Sequence, residues 1–244
     1  MKPEEWRQET VDSEDAPLVI GLRARFIATD PCNLDLAKLE EIKLSPEERE
    51  KMVDAVVKFL DSSECPEHVR LKEDFSASEL TAEHIRYVCN AMDRLIYGGR
   101  LLRKARLGNA EIWFSYNLFS LDPTKEQPCA KTVFSSRTDT EEKELVKVVF
   151  QFNRNRFGDS ARCRETNGIQ VRHKLEALIT TTLHELEHLF WRLACKKPQG
   201  HNEKFRDFNH AINGAHPNKF GYRDMETCPV HHHYEELRRR VKVQ

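Results

Sequence analysis

The sequence predicts an α+β domain over residues 81–240, preceded by an acidic, mainly helical N-terminal extension, residues 1–80. The charge distribution suggests the division. Residues 1–80 carry 11 of the 39 Lys and Arg but 20 of the 40 Asp and Glu, a net charge of −9, so the rest of the 244-residue chain is +8. After residue 81, a helical pattern, strand-like runs and two further helical patterns follow one another. This order predicts helices packed on a small mixed sheet.

One helix is predicted within the extension, from about residue 45 to residue 61. Ser45 suits the N-cap, Pro46 suits the first helical position, and Glu48 closes a capping box. Apolar residues then recur at helical spacing from Met52 to Leu60.

The elements of the domain are predicted in order from their periodicity. A helix that begins at Thr81 ends at Gly98 and Gly99, because glycine is typical of a helix C-terminus. Three β-rich runs follow, and the third is nearly continuous in apolar residues, which indicates a central strand. The predicted strands are 110–121, 130–135 and 145–152; a basic loop spans 153–167, and helices are predicted over 171–196 and 202–213.

Composition argues against two classes of protein. Uncharged stretches reach only ten or eleven residues, short of the roughly 20 that a membrane helix needs. The N-terminal residues lack the apolar segment of a signal peptide. Seven cysteines lie 24 to 40 residues apart without a CxxC pair, which favours reduced thiols in a cytosolic or nuclear protein. We therefore expect neither a membrane protein nor a secreted one.

The strongest chemical signal is the sequence HELEH, residues 184–188. His184 and His188 lie about one helical turn apart, so both imidazoles can reach a single zinc ion. The intervening Glu185 can accept a proton from a water molecule beside the metal. Apolar residues flank the motif and favour a buried helix. The alternative interpretation is a pair of surface histidines near a salt-bridging glutamate.

A catalytic zinc site needs a third protein ligand and an open position. His201 follows a turn at residues 198–200 that would bring the chain back toward the first two histidines. Spacing alone leaves other ligands open. The candidates downstream of the motif are His201, Glu203, Asp207, His210, His216 and the three histidines at 231–233.

These segments resemble the SprT-like metallopeptidase family, of the Spartan type. LHELEHLF at 183–190 and GHNEKF at 200–205 resemble the family's HExxH helix and the HGxxF-type segment that carries the third histidine. Asn202 stands where the family commonly has glycine. The resemblance covers about residues 81–240 and includes segments 90–93, 98–101, 111–114, 129–133 and 232–236.

The resemblance implies a zincin-like fold and a zinc-dependent endopeptidase that degrades proteins covalently crosslinked to DNA. It implies that His184, His188 and His201 bind one catalytic Zn²⁺ and that Glu185 is the catalytic base. It also implies a role in DNA repair in the nucleus, with the cytoplasm as a second location. Two other functions stay open: a zinc peptidase of this fold with a non-DNA substrate, and a non-catalytic zinc-containing module that binds DNA or chromatin.

Clusters of cations predict where DNA binds. The candidate contacts are Arg100, Arg103, Lys104, Arg154, Arg156, Arg162 and Arg164, with a further cluster at 238–240. Phosphate contacts by such groups are independent of base sequence and sensitive to salt. Trp113, Phe157 and Trp191 are candidates for stacking on unpaired bases, or else belong to the core. We also hypothesise that the acidic extension shields this basic surface until DNA displaces it.

Overall fold

The computed structural model describes residues 42–61, 65–117, 129–137, 144–157, 165–166, 169–196, 201 and 203–213. These residues form five α-helices and a three-stranded sheet, which confirms the predicted α+β class. The helices are α1 Pro46–Asp61, α2 Ala82–Tyr97, α3 Arg100–Leu107, α4 Lys174–Cys195 and α5 Glu203–Asn213. The strands are β1 Glu111–Asn117, β2 Ala130–Ser136 and β3 Leu145–Asn153, and a separate short pair is β4 Glu165–Thr166 and β5 Ile169–Gln170.

The third predicted strand is the central one, as its apolar sequence indicates. β1 pairs with β3 in parallel and β2 pairs with β3 antiparallel, so the strand order is β1-β3-β2. Val148, Phe150 and Phe152 of β3 are fully buried. Helix α2 contacts β1, and α4 contacts β2. The sheet therefore forms one layer beneath the helices.

Local sequence explains the junction between α2 and α3. Gly98 and Gly99 have φ of +62° and +72°, a left-handed backbone that favours glycine. The carboxylate of Asp93, inside α2, then accepts hydrogen bonds from the backbone N–H groups of Leu101 and Leu102 at 3.0 and 3.1 Å. These bonds satisfy two amides that the first turn of α3 leaves without a partner. The sequence analysis predicted the end of α2 but not α3, whose eight residues are too few for a clear periodic pattern.

Helix α1 of the N-terminal extension packs into the same core as α4. The predicted capping box is present, and Val53 is fully buried. The guanidinium of Arg49 donates to Glu176 of α4 at 2.7 Å, and Leu44 N–H donates to the carbonyl of Ala211 in α5 at 2.8 Å. This part of the extension therefore contributes to the folded core rather than to a detachable shield; residues 1–41 lie outside the described residues.

Helix α4 is the central helix of the fold, and almost every residue from Leu175 to Leu189 is buried. It begins three residues later and ends one residue earlier than the predicted 171–196. The Nδ1 atom of its N-cap, His173, accepts from the Glu176 backbone N–H at 3.2 Å. Among the described residues, no helix has the length and apolar character needed to cross a membrane.

The cysteines depart from the expectation of reduced thiols at one position. Cys195, the last residue of α4, is disulfide-bonded. Cys65, Cys89 and Cys129 are free thiols. The even spacing of the seven cysteines therefore gave no sign of a pair that forms only in the folded chain.

Candidate metal centre

Three imidazoles converge where α4 meets the segment that enters α5. His201 Nε2 lies 3.1 Å from His184 Nε2 and 3.0 Å from His188 Nε2. One ligand nitrogen of each ring lies within 4.8 Å of the other two. Zinc–nitrogen bonds of about 2.0–2.1 Å at tetrahedral angles place two ligand nitrogens about 3.3 Å apart. The three histidines are therefore close enough to bind one metal ion.

The rings differ in exposure, and this leaves one side of the cluster accessible. His184 is buried, His188 is half-buried and His201 is exposed. Burial lowers the pKa of His184 well below its usual value. Desolvation of the ring lowers the pKa of His201 to about 4, although much of the residue faces solvent, and Arg206 adds to this. Both rings are neutral at pH 7, which is the state in which imidazole binds metals.

Phe205 of α5 forms the apolar support of the cluster. Its ring is fully buried and stacks on His188, with centroids 4.3 Å apart and an interplanar angle of 14°. It also meets the edge of His184 at 5.4 Å and 84°. Its ring centroid also lies 5.4 Å from that of His201. Contact with all three rings restricts their rotation, so Phe205 helps to keep the imidazoles in position.

Glu185 is held by the neighbouring edge of the sheet. The hydroxyl of Thr132 on β2 donates to Glu185 Oε2 at 2.6 Å and lies 3.2 Å from the Glu185 carbonyl oxygen. The carboxyl is 3% exposed. Burial raises its pKa to about 7, against the hydrogen bonds from Thr132, which lower it. A carboxyl that titrates near neutral pH can accept a proton and return it.

A second buried glutamate lies behind the cluster. The side-chain amide of Asn209 in α5 lies 2.9 Å from His184 Nδ1 and 2.5 Å from Glu187 Oε2. All three residues are buried. Burial raises the pKa of Glu187 well above its usual range, against the hydrogen bond from Asn209. The sequence analysis missed Asn209 and Thr132 because neither belongs to a motif, and only the fold brings them to α4.

Of the other candidate ligands, the two whose side chains the structure describes do not join the cluster. Neither Asp207 nor His210, both on α5, belongs to the group of potential ligand atoms that the described residues form. The side chain of Glu203, His216 and residues 231–233 lie outside the described residues.

Comparisons with protein-family models, curated proteins and solved structures found no match. The candidate metal centre therefore rests on its geometry and on the sequence motif.

The predicted DNA contacts separate into exposed and buried residues. Arg100, Arg103 and Lys104 are exposed on α3, and none of them forms an ion pair with a described residue. Arg154 is exposed as well, whereas Arg156 is only 8% exposed. Arg162, Arg164 and residues 238–240 lie outside the described residues. The basic surface that the structure describes is therefore mainly that of α3.

Of the three candidate stacking residues, only Trp113 is exposed. Phe157 and Trp191 are buried in the core, so their rings cannot reach a base. Trp113 lies on β1 with 54% of its surface exposed. The ammonium group of Lys147, on the neighbouring strand, lies 4.7 Å from the centre of the indole ring. An exposed indole beside a cation has the chemistry of a base-stacking site.

Proposed function

We propose that this protein is a zinc-dependent endopeptidase of the SprT-like, Spartan type that degrades proteins covalently crosslinked to DNA. The observation that carries the proposal is the convergence of the His184, His188 and His201 nitrogens, with the buried carboxyl of Glu185 on the same helix. A site of this composition suits hydrolysis of a peptide bond. With such a substrate, the proposed role is DNA repair and the proposed location is the nucleus.

Zinc is the metal that the ligand set favours. Three imidazoles with one accessible side are a ligand set of catalytic zinc, and neutral nitrogen donors suit this ion better than magnesium or calcium. When bound, zinc polarises a carbonyl group and lowers the pKa of water to about 7. His184, His188 and His201 would hold the ion, and Phe205 supports their rings.

Glu185 performs the proton transfer in this proposal. Thr132 donates to Oε2, and no described residue bonds to Oε1, so Oε1 is the oxygen available to a proton. The carboxylate accepts the proton of the attacking water and then delivers it to the leaving amine of the cleaved peptide. Burial raises the pKa of this carboxyl to about 7 in the metal-free chain, and the charge of a bound zinc ion would lower it toward the ionised form that accepts the proton.

The decisive experiment combines metal analysis with proteolysis by the full chain and by Glu185→Gln. We expect about one zinc per chain in both proteins, DNA-stimulated cleavage by the wild type and none by Glu185→Gln. The substitution keeps the side-chain shape and removes the base. Equal zinc content is the control for an intact site.

Other outcomes separate the alternative functions. Cleavage that is insensitive to DNA would indicate a peptidase with a different substrate. Zinc binding without any hydrolysis would indicate a binding module. Absence of zinc from the wild-type protein would contradict the proposal as a whole.

The cations of α3 are the proposed DNA contacts, and two matched double variants test them. Replacing Arg103 and Lys104 with alanine removes two exposed charges from α3, whereas the same change at Lys51 and Lys72, both also exposed, removes two charges from the extension. We expect only the first pair to weaken DNA binding. Each lost phosphate contact should reduce the slope of log affinity against log salt by about 0.7 to 0.9. Equal effects of the two pairs would argue against a specific role for α3.

A further inference from the structure

One face of the three-stranded sheet points away from the described helices. Side chains alternate between the two faces of a strand. Thr132 of β2 bonds to Glu185 of α4, so its row of the sheet faces the helices. Its neighbours in register, Phe150 of β3 and Phe114 of β1, share that face. Residues one position away along each strand therefore lie on the outer face.

An apolar row crosses the middle of this outer face. Trp113 of β1 and Val133 of β2 are both in register with Val149 of the central strand. Trp113 and Val133 are two of the three exposed large apolar residues in the described part of the chain. The rows on either side are polar, and the three rows together are called the platform. The residues of the polar rows are Glu111, Lys147, Ser135, Ser115, Gln151 and Lys131.

Charged groups orient the indole ring of Trp113. Its Nε1–H donates to the carboxylate of Glu111 at 3.0 Å, and the ammonium group of Lys147 lies 4.7 Å from the ring centre. Lys147 forms no ion pair with a described residue. A ring oriented in this way loses little further freedom when a flat partner stacks on it. The cation beside it can meet the phosphate of a nucleotide.

The size of the platform favours a nucleic acid over a protein partner. Strands about 4.8 Å apart and rows about 6.6 Å apart give three strands and three rows an area of about 10 by 13 Å. A stable protein interface buries about 800 Å² on each partner, several times this area. About one or two flat bases fit it, and exposed aromatic residues on a sheet stack unpaired bases in this way.

The charge of the platform favours an anionic partner. Lys131 and Lys147 outnumber its one acidic residue, Glu111, which accepts from the indole. Helix α3, with the exposed cations Arg103 and Lys104, contacts β1. The proposed phosphate contacts and the platform therefore belong to adjacent elements.

We infer that the platform binds unpaired bases of single-stranded DNA, which stack on Trp113 while Lys147 meets the backbone phosphate. This inference deepens the proposed function and rests on its DNA substrate, because it specifies unpaired DNA next to the basic helix. Bases inside a duplex are stacked on one another and cannot reach the indole ring. Stacking is tolerant of base sequence, since every base has a π-face.

Binding of a labelled oligothymidine of about 12 nucleotides to the full chain, followed by fluorescence anisotropy, tests the platform. Trp113→Leu removes an exposed aromatic ring and should weaken binding by about 5- to 150-fold. Trp113→Phe keeps a smaller ring and should have an intermediate affinity. Tyr87→Leu is the matched control and should bind like the wild type. The Tyr87 ring also lies beside a cation, 5.1 Å from the Arg86 guanidinium, but on α2 rather than on the sheet.

Salt dependence separates stacking from charge. Indole is uncharged, so Trp113→Leu should leave the slope of log affinity against log salt unchanged. Lys147→Gln removes one phosphate contact and should reduce this slope by about 0.7, the value for single strands. A duplex of the same length should bind to Trp113→Leu and to the wild type equally well.

Tryptophan fluorescence reports on the ring directly. A stacked base quenches indole emission, so oligothymidine should quench the wild type more than Trp113→Leu. Urea unfolding of each variant shows whether the fold is intact. If Trp113→Leu does not fold, the salt slope of Lys147→Gln and the quenching of the wild type decide.

The inference and the proposed function can fail separately. If the wild type binds oligothymidine and Trp113→Leu binds it equally well, the platform is overturned and the DNA contacts of α3 stand. Unchanged fluorescence would also overturn it, and is expected if another segment of the chain or a second copy covers the ring. If the wild type binds neither oligothymidine nor duplex, the DNA substrate and the platform are both overturned, whereas zinc content still tests the metal centre.

Discussion

Two glutamates on α4, nine residues apart and both buried, have opposite electrostatic surroundings. Glu176, 2% exposed, accepts from the guanidinium groups of Arg49 at 2.7 Å and Arg172 at 2.9 Å. Burial raises its pKa, but the bonds from Arg172 and Arg49 outweigh burial, so the pKa is lowered. Glu185, 3% exposed, receives the neutral hydroxyl of Thr132. Its pKa is raised to about 7 because a hydroxyl offsets burial less than a charge does.

The difference distinguishes the two halves of one helix by the protonation of their buried carboxyl groups. In the half near Glu176, the guanidinium groups lower the pKa of the carboxyl and favour its ionised form, and Arg49 connects α4 to α1. The half near Glu185 keeps a carboxyl ready to exchange a proton. Perturbed groups of the second kind occur preferentially at functional sites. The comparison therefore predicts that substitutions in the first half change stability and substitutions in the second half change chemistry.

The largest predicted effect is on stability, from Arg49→Ala. This change leaves the carboxylate of Glu176 buried with one cation fewer and removes the bond to Thr180 at 2.9 Å. Loss of one partner of a buried ion pair costs about 3–5 kcal/mol, which urea unfolding at pH 7 measures. Arg172→Ala is the matched control. Its side chain is 43% exposed, so we expect a loss of at most about 1 kcal/mol. If Arg49→Ala and Arg172→Ala lowered the free energy of unfolding equally, the buried ion pair would not be what stabilises this half of α4.

The sequence predicts the two helices that carry Arg49 and Glu176, but it does not predict the ion pair between these residues. The predicted capping box places α1 correctly, and apolar spacing predicts α4 to within three residues. Arg49 and Glu176 are 127 residues apart in sequence, and nothing in either local pattern connects them. Periodicity predicts which face of a helix is buried, but not which charged partner will meet that face.

The candidate metal site also contains residues that the sequence predicts and residues that it does not. His184 and His188 follow from the spacing of one motif, and His201 joins them in the structure. Thr132 and Asn209 come from a strand and a helix that the sequence predicts, yet their roles depend on tertiary contacts with α4. A motif indicates the ligands because they are close in sequence, whereas the groups that orient them come from elements distant in the chain.

Asp93 is a third buried carboxyl, and it sharpens the comparison. Its carboxylate accepts hydrogen bonds from the backbone N–H groups of Leu101 and Leu102 and, among the described residues, from no side chain. Burial raises its pKa from 3.8 to about 6, against those bonds. The folded chain therefore binds a proton that the unfolded chain has released between these pH values. The contribution of Asp93 to stability falls as pH rises from about 4 to 6 and is constant above that range.

Asp93→Asn tests this sign. The amide cannot ionise, so the pH-dependent part of the difference between the two proteins belongs to Asp93. Relative to the wild type, the variant should gain about 2.4 kcal/mol between pH 4 and pH 7, because the pKa of Asp93 is raised by about two units on folding. The loss of one acceptor oxygen adds a constant offset. Urea unfolding across this pH range measures the difference, and a difference independent of pH would refute the assignment.

Thr132→Val has the smallest predicted effect, and it tests the half of α4 that carries Glu185. Thr132→Val removes the hydroxyl that holds Glu185 while keeping the shape of the side chain. We expect kcat of peptide hydrolysis to fall by about tenfold, since a misplaced base transfers protons less efficiently. Zinc content and the urea midpoint should change little, because neither the ligands nor the core is altered.

Two further variants show whether the hydroxyl itself is responsible. Thr132→Ser keeps the donor and should retain most of the activity. Ser135→Ala changes an exposed hydroxyl on the same strand and should have no effect. If Thr132→Val and Thr132→Ser lose activity equally, packing of the Thr132 methyl group matters more than its hydrogen bond. The neutral donor would then not be what distinguishes Glu185 from Glu176, and the contrast would rest on burial alone.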